Sequence, residues 1–491
     1  MHQPDALFSG LQPAAVWKHF ATLCRIPRAS KQEAALRDVL LSWAHERGLG
    51  AEVDLAGNLI IRKPATAGRE HCPGVVLQAH LDMVCQKNSD SAHDFSRDPI
   101  SPDYREGWLV AEKTTLGADN GIGVALILAV LESDDIVHGP IEALLTVDEE
   151  AGMGGARGLA SDVLQGSLML NLDTEDWGEF YLGCAGGLDV NVARDAQAEP
   201  LASDGEGWRL VLSDLRGGHS GVDIHEGRGN AIKLLVRVLC SLEAAFPLRL
   251  AELRGGTARN ALPREAEASF VLPRGAGNGL AAAVAELQET LRGEYCGVDD
   301  ALRLDLAPCA IDWLLPVTEQ QVWLRSLHAA PHGVWRMSHQ VPGVVETSNN
   351  LGMVDLGPAG GSCNFMVRSL LDSGSRALAD EIASLWALSG TSADMDGYYP
   401  GWAPNPASAL LKTCQAVYKR EFSADSTVQV IHAGLECGII GSKYPGLDIV
   451  SFGPTIRGAH APGERVEIAS VAKCWQLLVA ILAELRRKEE L

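Results

Sequence analysis

Short runs of aliphatic residues recur along the first part of the chain, and each stops abruptly in polar residues. VVLQAHLDMV spans 75–84, IEALLTVDEE spans 141–150, and SLMLNLDTED spans 167–176; a further run, LDIVSFGP, lies far downstream at 447–454. Continuous apolar runs of this length bounded by turn residues predict strands buried on both faces, as in a parallel sheet. The expected strands are Leu59 to Arg62, Val75 to Val84, Ile141 to Val147, Leu168 to Leu172 and Leu447 to Phe452. Helical periodicity lies between them. Ser30 and Glu33 have capping-box spacing before Leu36, Val39, Leu40 and Trp43, which fall on one helical face, with Gly48 as a stop. An apolar helix is predicted from about Gly121 to Leu131, and another from Ser408 to Phe422. The alternation predicts an α/β domain with a mostly parallel central sheet.

The pattern changes from about Gly187 to Ser389. WRLVLSDL, LRLAELRGG, REAEASFVL, VVETSNNLGMVDL and NFMVRSLLD read as strands. Helices are expected over Asn230 to Phe246, Leu280 to Tyr295 and Arg376 to Leu388. This is an α+β texture, and it predicts a second domain at 187–389 inserted into a first one made of 1–186 and 390–491.

Composition narrows the partners. The chain has 491 residues, 46% hydrophobic and 21% charged, ordinary for a globular protein. Its 41 basic and 63 acidic residues give a formal charge of −22, which disfavours nucleic acid and anionic membrane surfaces and leaves small molecules, peptides and cations. The 11 cysteines include no Cys-x-x-Cys pair, as in a reducing compartment. Without a signal-like leader or an apolar stretch long enough to span a bilayer, the expected location is the cytoplasm.

The chemistry lies where the apolar runs end. His80 and Asp82 are two residues apart, so in extended chain they share a face, and a carboxylate beside a metal-bound imidazole fixes its tautomer. Taken alone, the pair reads more readily as a hydrogen-bonded couple than as a metal site. Asp119 sits in the Gly-rich turn LGADNGIG, where a plain helix cap would also explain it. Asp148, Glu149 and Glu150 repel one another unless solvent or a cation compensates. Asp173 ends another run, and His460 with Glu464 follows the last. In a parallel sheet these ends form one rim, where ligands bind. Mixed His and carboxylate donors without Cys suit a divalent metal such as zinc, with cobalt or manganese next. The donors exceed what one catalytic ion needs. Two ions about 3.5–4 Å apart, bridged by one carboxylate, would use them and activate a water held between them.

These residues resemble the M20 family of metallopeptidases in kind and order: His80-Leu81-Asp82, Gly117-Ala118-Asp119-Asn120-Gly121, Glu149-Glu150 before Gly152, Asp173 and His460. Within the family the chain is similar to the aminoacyl-histidine (Xaa-His) dipeptidases, through RKPATAG, LQAHLDMV, TTLGADNGIG, NALPREA and IHAGLECG. The resemblance implies a two-zinc, aminopeptidase-like catalytic domain with an inserted lid. It assigns His80 and Asp173 to one metal, Glu150 and His460 to the other, and Asp119 to both. Glu149 becomes the general base and Asp82 the residue that orients His80; the neighbouring Asp148 leaves a one-residue shift of these roles open. Ala461 and Gly463 depart from the residue types common between the last His and Glu.

In the insertion, GGHSG carries His219, which the resemblance makes the donor to the oxyanion of a tetrahedral intermediate. Asn260 and Arg368 correspond to lid groups that hold the substrate's amide or terminal carboxylate, a task for which the planar guanidinium fork is suited. His432 and Glu436, in HAGLECG, are expected in the substrate pocket, Glu436 toward a free amino group. The resulting expectation is a cytoplasmic dinuclear metal dipeptidase acting on unblocked dipeptides, including Xaa-His dipeptides such as carnosine, and forming a homodimer. An aminoacylase on the same scaffold and a catalytically silent metal-dependent binding protein are the rival readings.

Overall fold

The computed structural model describes residues 7–201 and 205–485. The chain divides into two units. One takes in the chain as far as Gly183, Pro404–Val430 and the chain from Leu435 onward; the other is Cys184–Ala403 with Ile431–Gly434.

An eight-stranded sheet carries the first unit. Its order is Gly50–Val53, Leu59–Lys63, Ile141–Thr146, Val75–His80, Leu168–Asn171, Asp448–Ser451, Glu179–Cys184 and Thr427–Ile431. The four central strands, from Ile141–Thr146 to Asp448–Ser451, run parallel, and antiparallel strands flank them. Every residue of Val75–His80 and Ile141–Thr146 is buried, as continuous apolar runs require when both sheet faces are covered. One cover is the helix Ala118–Glu132, apolar on every side and buried from Asn120 to Leu131. It packs against Val75–His80 and against the helices Ala14–Arg25 and Ile468–Glu484, the surroundings an all-round apolar helix needs. The register pairs His80 with Thr146, Gln78 with Asn171 and Asn171 with Ser451, which brings the downstream ends of all four parallel strands to one edge.

Three local expectations are corrected. The strand expected to reach Val84 ends at His80, and Asp82 lies in the loop beyond. No capping box forms: Glu33 is the N-cap of Ala34–Glu46 without a side-chain cap bond. Instead Ser30 Oγ donates to Asp82 at 2.8 Å, and Glu33 Oε1 accepts from the Lys31 and Asp148 amides at 2.9 Å each. Tertiary partners outcompete the local cap. Asp119 has the extended backbone of an N-cap (φ −78°, ψ 113°) where its helix kinks, yet its carboxylate faces His80 and His460 and not the helix.

The second unit is built on an antiparallel sheet ordered Arg303–Pro308, Gly205–Ser213, Ala266–Pro273, Arg249–Gly255, Val345–Gly357, Gly360–Ser369, Gly186–Asp195 and Ala393–Tyr399, with Gly333–Met337 pairing beside Val345–Gly357. Helices Ala231–Ala245, Leu280–Glu294, Val317–Ala329 and Asp372–Ala387 complete the α+β arrangement, around a core in which Trp323 and Trp386 meet edge to face at 5.1 Å. Helix Val317–Ala329 was not expected from the sequence pattern. This unit runs past the 187–389 stretch marked by texture, because Ala393–Tyr399 pairs antiparallel with Gly186–Asp195. That edge strand is largely exposed and polar, so it carries no apolar run to announce it.

Candidate active site

His80, the last residue of its strand, is 1% exposed. Its Nε2 lies 3.1 Å from Asp119 Oδ1 and 3.4 Å from Asp173 Oδ1, while Nδ1 lies 3.4 Å from Asp82 Oδ1. Fully buried Asp82 is held in turn by Ser30 Oγ and by the Glu149 and Glu150 amides, at 3.0 and 3.1 Å. Burial alone would raise its carboxyl; the hydrogen bonds from His80, Ser30 and the Glu149 amide outweigh it and hold the group down at about 2.

Asp119 is placed by the loop before its helix. Arg28, buried at the back of this loop, donates to the Leu81, Asp82 and Gly117 carbonyls at 2.9, 2.9 and 2.5 Å, tying the His80 and Asp119 segments together. A Cβ at Gly117 would run into that guanidinium and Met83, and its φ is positive as well, so glycine is required twice over. The next residue, Asn120, donates to Asp173 Oδ1 at 2.7 Å.

His460 Nε2 lies 3.2 Å from Asp119 Oδ2 and 3.1 Å from Glu150. Asp119 therefore meets both imidazoles, one with each oxygen. Donor atoms of His80, Asp119 and Glu150 all fall within 4.8 Å of one another, a candidate metal site. The donor set fits divalent cations. Carboxylates outnumber imidazoles there, and burial with mutual repulsion raises Asp173 to about 6 and Glu149 well above the usual carboxylate range, a strain that bound cations would relieve. Glu149 makes no ion pair with either histidine among the described residues. Asp148 stands apart: its carboxylate packs against Gly154, and its amide donates to Glu33.

Beneath the rim lies a buried polar layer with one member from each parallel strand. Asn171 donates to Gln78, Ser451 donates to Asn171, and Gln78 donates to Thr146 at 3.1 Å. Glu436, at the start of helix Glu436–Lys443 and 0% exposed, accepts from Gln78 at 2.7 Å and Thr146 at 2.6 Å through Oε2. Its Oε1 has no hydrogen-bond partner among the described residues. Burial raises this carboxyl to about 7 against the Thr146 hydrogen bond.

In the second unit, His219 sits on a two-residue bridge to Ala261. Its Nδ1 accepts from the Gly221 and Val222 amides at 3.1 and 3.0 Å, so the neutral ring carries its proton on Nε2. Burial and then the Arg368 charge lower its pKa to about 4. Asn260 is exposed in the adjoining turn, where its carbonyl accepts from Ser220 at 2.8 Å. Arg368, 4% exposed, donates to Tyr399 at 2.9 Å and to Ser220 at 3.4 Å, with no carboxylate in ion-pair range among the described residues. His432 pairs with Ser348 at 2.7 Å. HAGLECG is thus divided between units, His432 in one and Glu436 in the other.

The model of Peptidase family M20/M25/M40 matches residues 76–484. The chain belongs to this family. The M20 chain is 44% identical over 481 residues to the cytosol non-specific dipeptidase of Escherichia coli strain K12, covering 98% of this chain and 99% of that one. It superposes on the crystal structure of aminoacylhistidine dipeptidase from Vibrio alginolyticus with a TM-score of 0.91, at 44% identity and 98% coverage of each chain. A tripeptidase from Staphylococcus aureus shares the fold at 16% identity, with a TM-score of 0.54 over 96% of this chain and 98% of that chain.

Neither Arg28 nor the Gln78–Thr146–Asn171 layer of this M20 peptidase stood out in the sequence, while Ser30 read there as a helix cap and Asn120 only as part of the Asp119 loop. Polar residues inside apolar runs, such as Gln78 and Asn171, were the available signal. The second unit also carries an acid-sensitive set: burial lowers His332 and His432 to about 3, as it lowers His219 to about 4. Below the unfolded value near 6.5 the unfolded chain binds protons these rings refuse, so stability is full above about pH 6.5 and falls as pH drops toward 4. Thermal unfolding followed from pH 7.5 to 5 should show the loss, and His332→Gln should flatten part of it; an unchanged slope in that variant would remove His332 from the account.

Proposed function

We propose that this M20 peptidase is a metal-dependent dipeptidase of the cytoplasm that hydrolyses unblocked dipeptides, Xaa-His dipeptides such as carnosine among them. The observation that carries it is Asp119, whose two oxygens face the two histidines separately. His80 and Asp173 would hold one divalent ion, Glu150 and His460 a second, and Asp119 both; zinc suits this donor set best, with cobalt or manganese as substitutes. When bound, such ions polarise the scissile carbonyl and lower the pKa of water.

The chain's own residues divide the remaining work. The Asp82 carbonyl accepts from His80 Nδ1 at 3.2 Å, with the Asp82 carboxylate 3.4 Å from the same nitrogen, and together they keep Nε2 free to serve as a ligand. Its grip on the Glu149 and Glu150 amides fixes the turn from which Glu150 reaches the donor cluster while Glu149 stays outside it. Glu149 then takes the proton from the attacking water as oxygen bonds to the carbonyl carbon, and returns it to the amine as the C–N bond breaks. His219, neutral with a proton on Nε2, is a competent donor to the oxyanion. Arg368, a buried guanidinium with no carboxylate in ion-pair range among the described residues, suits the dipeptide's terminal carboxylate. Asn260 is assigned to the substrate's amide. His432 and Glu436 are assigned to the pocket, and Glu436 Oε1, without a hydrogen-bond partner among the described residues, to the free amino group. A homodimer accompanies this reading through the family resemblance alone.

Ala-His and carnosine assayed beside N-acetyl amino acids test the substrate class. Hydrolysis of the free dipeptides is expected, with acetylated compounds poor; activity on acetylated compounds alone would make the protein an aminoacylase, and none on either, with metal bound, a binding protein.

A further inference from the structure

Glu464 lies four residues beyond His460 and is 2% exposed. Its Oε2 accepts from the Leu116 and Gly117 amides at 2.6 and 2.9 Å, and its Oε1 from the Ala118 and Asp119 amides at 2.8 and 3.2 Å. Four consecutive N–H groups thus converge on one carboxylate, an anion-binding nest made possible by the left-handed backbone at Gly117. The backbone of Glu464 is itself anchored: its carbonyl accepts from Ala111 at 3.0 Å, and the preceding Gly463 amide donates to Ala111 at 2.9 Å. Both carboxylate oxygens are occupied by amides. Glu464 is therefore engaged as a cross-link between the loop that presents Asp119 and the loop that presents His460.

We propose that Glu464 is a positioning residue that builds the Asp119 and His460 arms of the metal site before any metal arrives. Charge-assisted bonds to backbone amides are strong, and here they set the spacing of two donors that share an ion. Removing the charge would leave buried amides unpaired and let the Asp119 loop relax, so metal affinity should suffer more than substrate affinity. The inference rests on reading Asp119 and His460 as ligands.

Zinc titration of metal-free protein against a competing chelator tests it, with Glu464→Gln compared to wild type and to Glu142→Gln. Glu142 is the control: a buried carboxylate whose Oε2 accepts from the Gln165 and Gly166 amides at 2.8 and 2.7 Å and whose Oε1 pairs with Arg62 at 3.3 Å, away from the donor cluster. Wild type should bind two ions. Glu464→Gln should weaken at least one by about 10- to 100-fold and lower kcat with little change in KM, whereas Glu142→Gln should lose thermal stability and keep both affinities. Unchanged affinities in Glu464→Gln, or equal losses in both variants, would overturn the proposal. Wild type that binds no zinc would instead overturn the ligand assignment.

Should Glu464→Gln not fold, Glu464→Asp is titrated in its place, and hydrogen exchange of the Leu116–Asp119 amides is measured in metal-free wild type. Protection there before metal is added is the expected result. Amides that exchange freely until zinc binds would mean that the metal, and not Glu464, organises the loop.

Discussion

Glu149→Gln is expected to keep its metal and lose hydrolysis. Removing a general base costs about 10²–10⁴-fold in turnover, and the amide is nearly isosteric, so zinc stoichiometry and KM should change little. The geometry explains the separation of effects. The Asp82 carboxylate grips the Glu149 and Glu150 amides as a unit, so the turn keeps its shape whichever side chain is altered. Glu150 meets His460 at 3.1 Å, whereas Glu149 makes no ion pair with either histidine among the described residues. Metal analysis with kinetics on Ala-His checks both halves. Near-normal turnover in Glu149→Gln would move the base elsewhere, and Asp148 would be the next acid to examine. Asp148→Asn is expected to remain within a few-fold of wild type, since that carboxylate packs against Gly154.

Chelation should abolish activity and also loosen the fold of one unit. His80, Asp119, Glu150, Asp173 and His460 all belong to the first unit, so metal binding stabilises that unit by mass action, about 2.7 kcal/mol when free metal stands at 100 times Kd. Without cations the carboxylates repel one another in a buried setting, as the raised Asp173 and Glu149 show. Calorimetry with and without chelator should therefore move the transition of the first unit and leave that of the second. Adding zinc should restore rate and transition together, and parallel additions of cobalt and manganese identify which ion gives the higher turnover. Full activity in protein stripped of metal would end the two-ion mechanism.

The rim of donors was legible because of a rule of sheet geometry. Parallel strands end on one edge, which brings His80, Glu150 and Asp173, each just downstream of an apolar run, to that edge, while His460 reaches it through the loop beyond Ser451. The buried strands Val75–His80 and Ile141–Thr146 were legible for the same reason: two covered faces demand unbroken apolar residues. Ser30 and Glu33 show where local patterns fail. Their spacing is that of a helix cap, yet Ser30 serves Asp82 and Glu33 serves the Asp148 amide, partners far away in sequence. Arg28 was hidden likewise, as an ordinary charged residue, and Glu464 was visible only as the acid after His460, until the fold surrounds each with backbone groups far away in the chain. The edge strand Ala393–Tyr399 escaped notice because an exposed strand needs no apolar face.

What the sequence determined by itself was the alternation of apolar strands and helices, the acids and histidines at the strand ends, and the family those residues mark. Only the tertiary structure decided which oxygen of Asp119 meets which histidine, which nitrogen of His219 keeps its proton, and that Glu436 lies buried against Gln78 and Thr146. The physical reason is range. Hydrophobic periodicity is a property of neighbours along the chain, whereas hydrogen bonds and charge pairs inside the fold join residues that the chain itself keeps far apart.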